Sequence, residues 1–419
     1  MTQEQVDRRR AIEALRAGVP NRDVVRLLPP MQRDMEERFQ TLLTAAEHGW
    51  EDGKQAPGLL LEGDFGAGKS HWLEYFRHLA LESNFVCSTV VLNKETPLHD
   101  LTKLYRACVE SAAISGKIGP ALEEIAHAFD FGGGAQLQEL LDWLRESPTM
   151  DPRYAATACL FSRNPSEVIR EKVIAEWTGY PMRVPDLRAA LREIDELPRY
   201  PITKPQRGAL LQRFAFLSRF FRAAGYTGWV VLFDETERIS NFSVRQRGKA
   251  YAHLAQLLGQ VKGLATPGLA SVFTITNDYT GQVLYGSKND LEMVPARMQG
   301  TRDEELMAAA DTGMKVIKSK GSELRPPTRA QVGAIQQQVQ ALYSAAYNWE
   351  PTTAIGEVRE FAGSVGMRQY VRAWINAWDL RRLYDVQAET VVETIAPSYE
   401  EDVDLQREEP DEDAPRIML

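Results

Sequence analysis

Residues 59–76, LLLEGDFGAGKSHWLEYF, begin as an apolar run, turn through a loop with three glycines and resume with helical spacing. A short buried strand leading through such a loop into a helix is the opening of a parallel α/β layer, so this stretch constrains the fold more than any other. The loop fits G-x-x-x-x-G-K-[ST] as Gly63, Gly68, Lys69 and Ser70. Glycines let backbone N–H groups curl around a phosphate, and the helix N-terminus adds positive potential. Lys69 would neutralise β and γ oxygens and Ser70 would ligate Mg2+. The candidate nucleotide-binding residues are therefore Gly63, Asp64, Phe65, Gly66, Ala67, Gly68, Lys69, Ser70 and His71. The embedded DFG at Asp64–Gly66 lacks the H-R-D loop and lysine strand of a protein kinase.

The remaining sheet material is spread along the chain. Strands are expected at GLLLE (58–62), FVCSTVVLN (85–93), GWVVLFDE (228–235) and LASVFTITND (269–278), with a weaker one near 322–327. A helix from about Lys69 to Glu82 joins the first two, which implies a parallel sheet with right-handed crossovers. Residues 98–227 read as helices, far more than one crossover needs, and so form an inserted helical subregion. The first fifty residues and everything after about 328 are also helical, the latter expected as a small separate bundle.

Whether nucleotide is consumed turns on WVVLFDE, where a buried strand ends in Asp234 and Glu235. Asp234 would hold the magnesium through water, and Glu235 would orient and deprotonate the attacking water. Acidic strand ends also serve as turn formers, but beside the loop the hydrolytic reading is favoured. Asn277, and after it Thr276, end the next strand where a side chain would position that water. Asn93, ending the second strand, is a candidate to hold Glu235 back until a partner binds. Arg297 in VPARMQG would reach a neighbouring subunit's γ-phosphate, and Arg368 in GMRQYVRAW would fold back onto bound nucleotide. Either arginine would otherwise be a solvated surface residue.

Charge and composition bound the partners. Residues 396–419 carry nine acids against Arg407 and Arg416, so this tail holds −7 of the net −9 and the body about −2. Such a segment buries too little apolar surface to offset its ordering entropy and is expected to be disordered. Arg8, Arg9, Arg10, Arg163, Arg170, Lys172, Arg188 and Arg192 are the candidate DNA-facing cations, interleaved with acids as on a solvated or protein-docking face. Cys87, Cys108 and Cys159 lack metal or disulfide spacing, the six histidines form no metal pattern, and no run reaches membrane-spanning length. The expected location is the cytoplasm, without a membrane partner.

The ordered set GDFGAGKS, VVLFDE, TITND, ARM, LRPPTRAQV and GMRQYVRAW resembles the AAA+ ATPases of the origin-recognition and replication-initiator clade. With RRRAIEALRAGVPNRDVVRLL in front and VVLNKETPLHDLTKLYRACVES after the second strand, residues 8–390 look more closely like the ATP-binding proteins of BREX bacteriophage-exclusion systems, of the type called BrxD. The resemblance implies Walker A and Walker B elements in an αβα sandwich whose parallel sheet has the order 5-1-4-3-2. It implies first and second sensors at Asn277 or Thr276 and at Arg368, and ATP-driven homo-oligomeric assembly on double-stranded DNA beside a methyltransferase and other phage-defence proteins. Domains are then expected at 1–50 (N-terminal helices), 51–327 (nucleotide-binding core), 328–395 (helical lid) and 396–419 (acidic tail). Two departures stand out: the lid leads to an acidic tail rather than a winged helix, and Arg297 maps only loosely onto the family's arginine finger. A non-catalytic nucleotide-dependent scaffold and a P-loop small-molecule kinase remain the rival readings.

Overall fold

The computed structural model describes residues 2–18, 21–30, 32–117, 119–129, 135–147, 150–202, 210–261, 263, 265–299, 303–319, 321–325, 327–351, 367–386 and 399–400. Its centre is a five-stranded sheet of β1 (Leu59–Glu62), β2 (Val86–Val91), β3 (Trp229–Asp234), β4 (Leu269–Ile275) and β5 (Ser322–Glu323). The order is β2-β3-β4-β1-β5 and every pairing is parallel. Read from the β5 edge the same order is 5-1-4-3-2.

Every residue of β3 and β4 is buried, which is why both read as continuous apolar runs rather than alternating ones. Alternation decides only which face each side chain serves. Val230 and Leu232 join Phe39 and Phe76 on the face covered by α3 (Arg33–Asp52) and α4 (Lys69–Glu82). Val231, Phe233 and Phe273 join Tyr251 and Met314 on the opposite face, beneath α12 (Val244–Leu257) and α14 (Glu304–Lys318). Helix α13 (Asp290–Met298) lies between those two helices in sequence and places Val294 and Met298 in the same cluster. The result is a three-layer αβα arrangement.

The inserted helices are α5 (Leu101–Glu110), α6 (Ala121–Ala128), α7 (Ala135–Glu146), α8 (Pro152–Ser162), α9 (Glu167–Thr178), α10 (Val184–Glu193) and α11 (Leu210–Ala223). Their core is aromatic: Trp177 lies 4.8 Å from Phe161 and 4.8 Å from Phe220 between ring centroids. Within it, Arg153 and Glu176 form an ion pair that is almost fully buried. Arg153 Nε donates to Glu176 Oε1 at 3.1 Å, and the Met182 N–H donates to Glu176 Oε2 at 2.6 Å.

The terminal helices do not remain apart. In α1 (Gln3–Ala17) and α2 (Arg22–Leu27), and in α15 (Arg329–Tyr347) and α16 (Met367–Tyr384), the apolar faces merge. Ile12, Val24 and Leu28 pack with Val339, Tyr343, Trp374 and Trp378 in one cluster. Arg16 Nε donates to Asp379 Oδ2 at 2.9 Å, and Tyr343 donates to Asp379 Oδ1 at 2.7 Å. The acidic tail expected from the sequence lies outside the described residues except for Tyr399 and Glu400.

Because a buried guanidinium stripped of its carboxylate is strongly destabilising, Glu176→Ala is expected to lower unfolding free energy by about 3–5 kcal/mol. Urea denaturation monitored by tryptophan fluorescence measures this, and a loss below about 1 kcal/mol would show that the pair is dispensable.

Candidate functional site

The glycine-rich loop is anchored at its start. The Gly63 N–H donates to the Ile275 carbonyl at 3.1 Å, tying the loop to the end of β4. Gly66 and Gly68 hold φ of 85° and 96°, a left-handed backbone that other residues adopt only with strain. Gly68 thereby caps α4 without a side chain, and space is open where its Cβ would stand. The Ala67 N–H closes on the Asp64 carbonyl at 3.1 Å, while the Phe65 ring is exposed. The buried Lys69 ammonium donates to the carbonyls of Gly63 at 2.7 Å and Asp64 at 3.3 Å. Those are neutral acceptors, and a phosphate oxygen in their place would add the attraction of an opposite charge to the hydrogen bond.

Asp234 ties the loop to the sheet. Its Oδ2 accepts from Ser70 Oγ at 2.6 Å, and its Oδ1 accepts from Thr274 Oγ1 at 2.6 Å and from the Glu235 N–H at 3.0 Å. Glu235 has φ of 60° and accepts from Arg238 Nε at 2.9 Å, both side chains being partly exposed. The expected Asn93–Glu235 contact is not what holds Glu235. Asn93 Oδ1 instead accepts from the N–H groups of Glu95 at 2.8 Å and Thr96 at 2.9 Å, closing the turn after β2. A strand-end asparagine does this because its side chain substitutes for a backbone acceptor two residues on.

Beyond the strand ends, Asn277 follows β4 with its Oδ1 buried and unpartnered among the described residues. Thr276 Oγ1 is 2.7 Å from the Tyr399 hydroxyl. Arg297 is exposed in the last turn of α13. Arg368 packs its aliphatic stem against Gly18, where a Cβ would stand 3.1 Å from Cδ. His71 turns its Nε2 to within 3.0 Å of the Leu28 carbonyl, and burial lowers its pKa. The structure thus gathers the loop, Asp234, Glu235 and Asn277 at the C-terminal edges of β1, β3 and β4. His71 is engaged with the end of α2.

Three residues at this edge escaped the sequence reading. Thr274 was legible as a hydroxyl inside an otherwise apolar buried strand. Glu237 and Tyr399 were not: Glu237 lies only three residues after Asp234 but nothing local announces its burial, and only folding brings Tyr399 to Thr276. Burial pushes the Glu237 carboxyl up to about 7, Lys69 opposes this, and Asp234 and Glu235 add to it. Glu237 Oε2 has no hydrogen-bond partner among the described residues.

A carboxyl whose folded pKa lies above its ordinary value contributes stability below the ordinary value and loses it as pH rises through the folded one. Glu237→Gln cannot ionise, so from about pH 5 to about pH 8 the wild-type chain should lose roughly 2–3 kcal/mol relative to that variant. Denaturation midpoints of both proteins across this range provide the check, and parallel curves would remove Glu237 from the pH response.

No curated protein matches the chain. The model of the family described as BREX system ATP-binding protein BrxC/D matches residues 4–150 and 206–373. Those spans include the glycine-rich loop, Asp234, Glu235, Asn277, Arg297 and Arg368, and they leave out 151–205 in the inserted helices. With most of its length matched, the chain belongs to the family of BREX system ATP-binding proteins BrxC/D.

Proposed function

We propose that this protein is an AAA+ ATPase that binds ATP with Mg2+, hydrolyses it to ADP and phosphate, and uses the cycle as an assembly switch within a BREX phage-defence system. The observation that carries the reading is the Asp234 carboxylate, joined to the Ser70 hydroxyl at 2.6 Å beside the Lys69 loop. Paired oxygen donors of this kind suit a hard divalent cation, so Ser70 and Asp234 would hold Mg2+. When bound, Mg2+ supplies charge neutralisation on the phosphate oxygens.

The chain's own residues supply the rest. Backbone N–H groups of Asp64 to Ser70 cradle the phosphates, and Lys69 exchanges its two carbonyl acceptors for phosphate oxygen. Glu235 leaves Arg238 and takes the proton of the attacking water, with Asn277 orienting that water. Arg368 acts on the nucleotide from the terminal helices as second sensor, and Arg297 acts on the neighbouring subunit's γ-phosphate in a homo-oligomer. Both arginine roles rest on the family resemblance.

Double-stranded DNA is a less direct partner on this reading. Several of the expected cations already have partners: Arg163 lies 3.2 Å from Glu196, Lys172 lies 3.7 Å from Asp186, and Arg188 donates to the Ile202 carbonyl at 2.7 Å. Other defence proteins are then the better candidates to present DNA. Glu235 parked on Arg238 also favours a second reading, a scaffold that holds ATP without turning it over. No helix among the described residues is long and apolar enough to cross a membrane.

Steady-state ATP hydrolysis, with and without duplex DNA, separates the readings. Wild-type protein should turn over, Lys69→Ala should lose nucleotide binding, and Glu235→Gln should bind ATP while losing roughly 100-fold or more in turnover. Arg238→Ala, which frees Glu235, should raise turnover. Equal rates in wild type and Glu235→Gln would exclude Glu235 as the base and leave the scaffold.

A further inference from the structure

We infer that the end of β4 is a docking surface for the chain's own C-terminal segment, entered through Tyr399, and that seating this segment opposes nucleotide at the glycine-rich loop. The inference rests on the ATP-binding reading above.

Tyr399 makes a specific seat rather than a grazing contact. Its hydroxyl donates to Asp278 Oδ1 at 2.5 Å and lies 2.7 Å from Thr276 Oγ1. Its ring stands edge-on to the buried Tyr279, with centroids 6.2 Å apart at 80°. The next residue continues the attachment, because Asn241 Nδ2 donates to the Glu400 carbonyl at 3.3 Å. Two elements are thereby clasped, the loop after β4 and the 3₁₀ turn Thr236–Asn241 that follows Asp234 and Glu235. Burial, with Asp278 adding to it, pushes the Tyr399 phenol well above its ordinary pKa, so the hydroxyl remains a donor at neutral pH.

The position of this seat gives it consequence. Thr276 directly follows Ile275, whose carbonyl anchors Gly63, the first residue of the loop. Asn277, the candidate for orienting water, lies between the two residues that Tyr399 grips. The clasp therefore holds the segment that directly follows the anchor of the glycine-rich loop.

Charge makes the effect inhibitory. From Glu400 to Asp413 the sequence carries nine acids against Arg407. Tyr399, the residue just before this acidic run, is seated at the end of β4, beside a loop whose Lys69 and α4 N-terminus would favour anions. A short tether raises effective concentration to about the millimolar range, enough to compete with a polyphosphate for the same field.

The test uses the full chain in three forms: wild type, Tyr399→Phe, and a variant with the nine acids of 400–413 replaced by glutamine or asparagine. Affinity for a fluorescent ATP analogue and ATP turnover are measured separately, at low and at high salt. Tyr399→Phe removes only the hydroxyl and should tighten nucleotide affinity roughly three- to tenfold. The charge-neutralised variant should tighten it at least as much, and its advantage should shrink at about 1 M salt, where screening is nearly complete. Unchanged or weaker affinity in both variants, with the wild type binding nucleotide, would overturn the docking proposal alone. Failure of all three forms to bind nucleotide would overturn the ATP reading and the proposal with it.

Discussion

The Asp234 carboxylate is the constraint on which the site depends. One oxygen receives Ser70 from the helix that follows the loop, and the other receives Thr274 from the neighbouring strand. Three elements distant in sequence are therefore fixed by one side chain that is itself 8% exposed. A carboxylate held there needs donors on both oxygens, since burying it without them would cost several kcal/mol. Thr274 matters for this reason: it satisfies the inner oxygen and leaves the Ser70 side as the edge at which a cation and nucleotide would enter.

A second polar network extends from that edge. Arg247 of α12 pairs with Asp290 at the start of α13, with contacts of 2.7 to 3.1 Å, and both side chains are essentially buried. Tyr251 donates to Asp290 at 2.6 Å and lies 2.8 Å from the hydroxyl of Tyr279. Tyr279 in turn follows the Thr276–Asp278 segment and meets the ring of Tyr399. The end of β4 is thus joined by satisfied, water-excluded hydrogen bonds to the helix that carries Arg297. Buried networks of this kind rearrange in discrete steps rather than yielding gradually, because a half-broken arrangement strands a charge.

What was legible in the sequence follows the range of the interactions involved. The loop, the helix Lys69–Glu82 and the five strands were readable because local patterns determine them: glycine at left-handed positions, continuous apolar runs for doubly covered strands, and turn formers at their ends. Even the two-residue β5 was visible as a weak run near 322–327. Long-range pairings were not readable. Asn93 looked available to Glu235, but a local turn claimed its side chain, and Arg238 three residues downstream took the role of holding Glu235. Nor does any local pattern announce that Tyr399, in an acidic composition that favours disorder, reaches the end of a central strand.

The terminal helices show the same limit and add a physical consequence. Sequence separates α1 and α2 from α15 and α16 by some three hundred residues, yet their apolar faces form one cluster around Trp374 and Trp378. Each of these amphipathic faces would be left in water if the terminal segments stood alone, so burying them together is the lower free-energy arrangement. That cluster is not isolated from the site. Leu28, one of its members, presents its carbonyl to His71, which immediately follows Ser70 on α4. Burial disfavours protonation of that imidazole, so the link is a neutral hydrogen bond that does not titrate away near neutral pH. Arg368 packs against Gly18 in the same body. The helices that carry the candidate second sensor are therefore coupled to the helix that follows the glycine-rich loop, and displacing them requires breaking the His71–Leu28 contact or moving α4 with them.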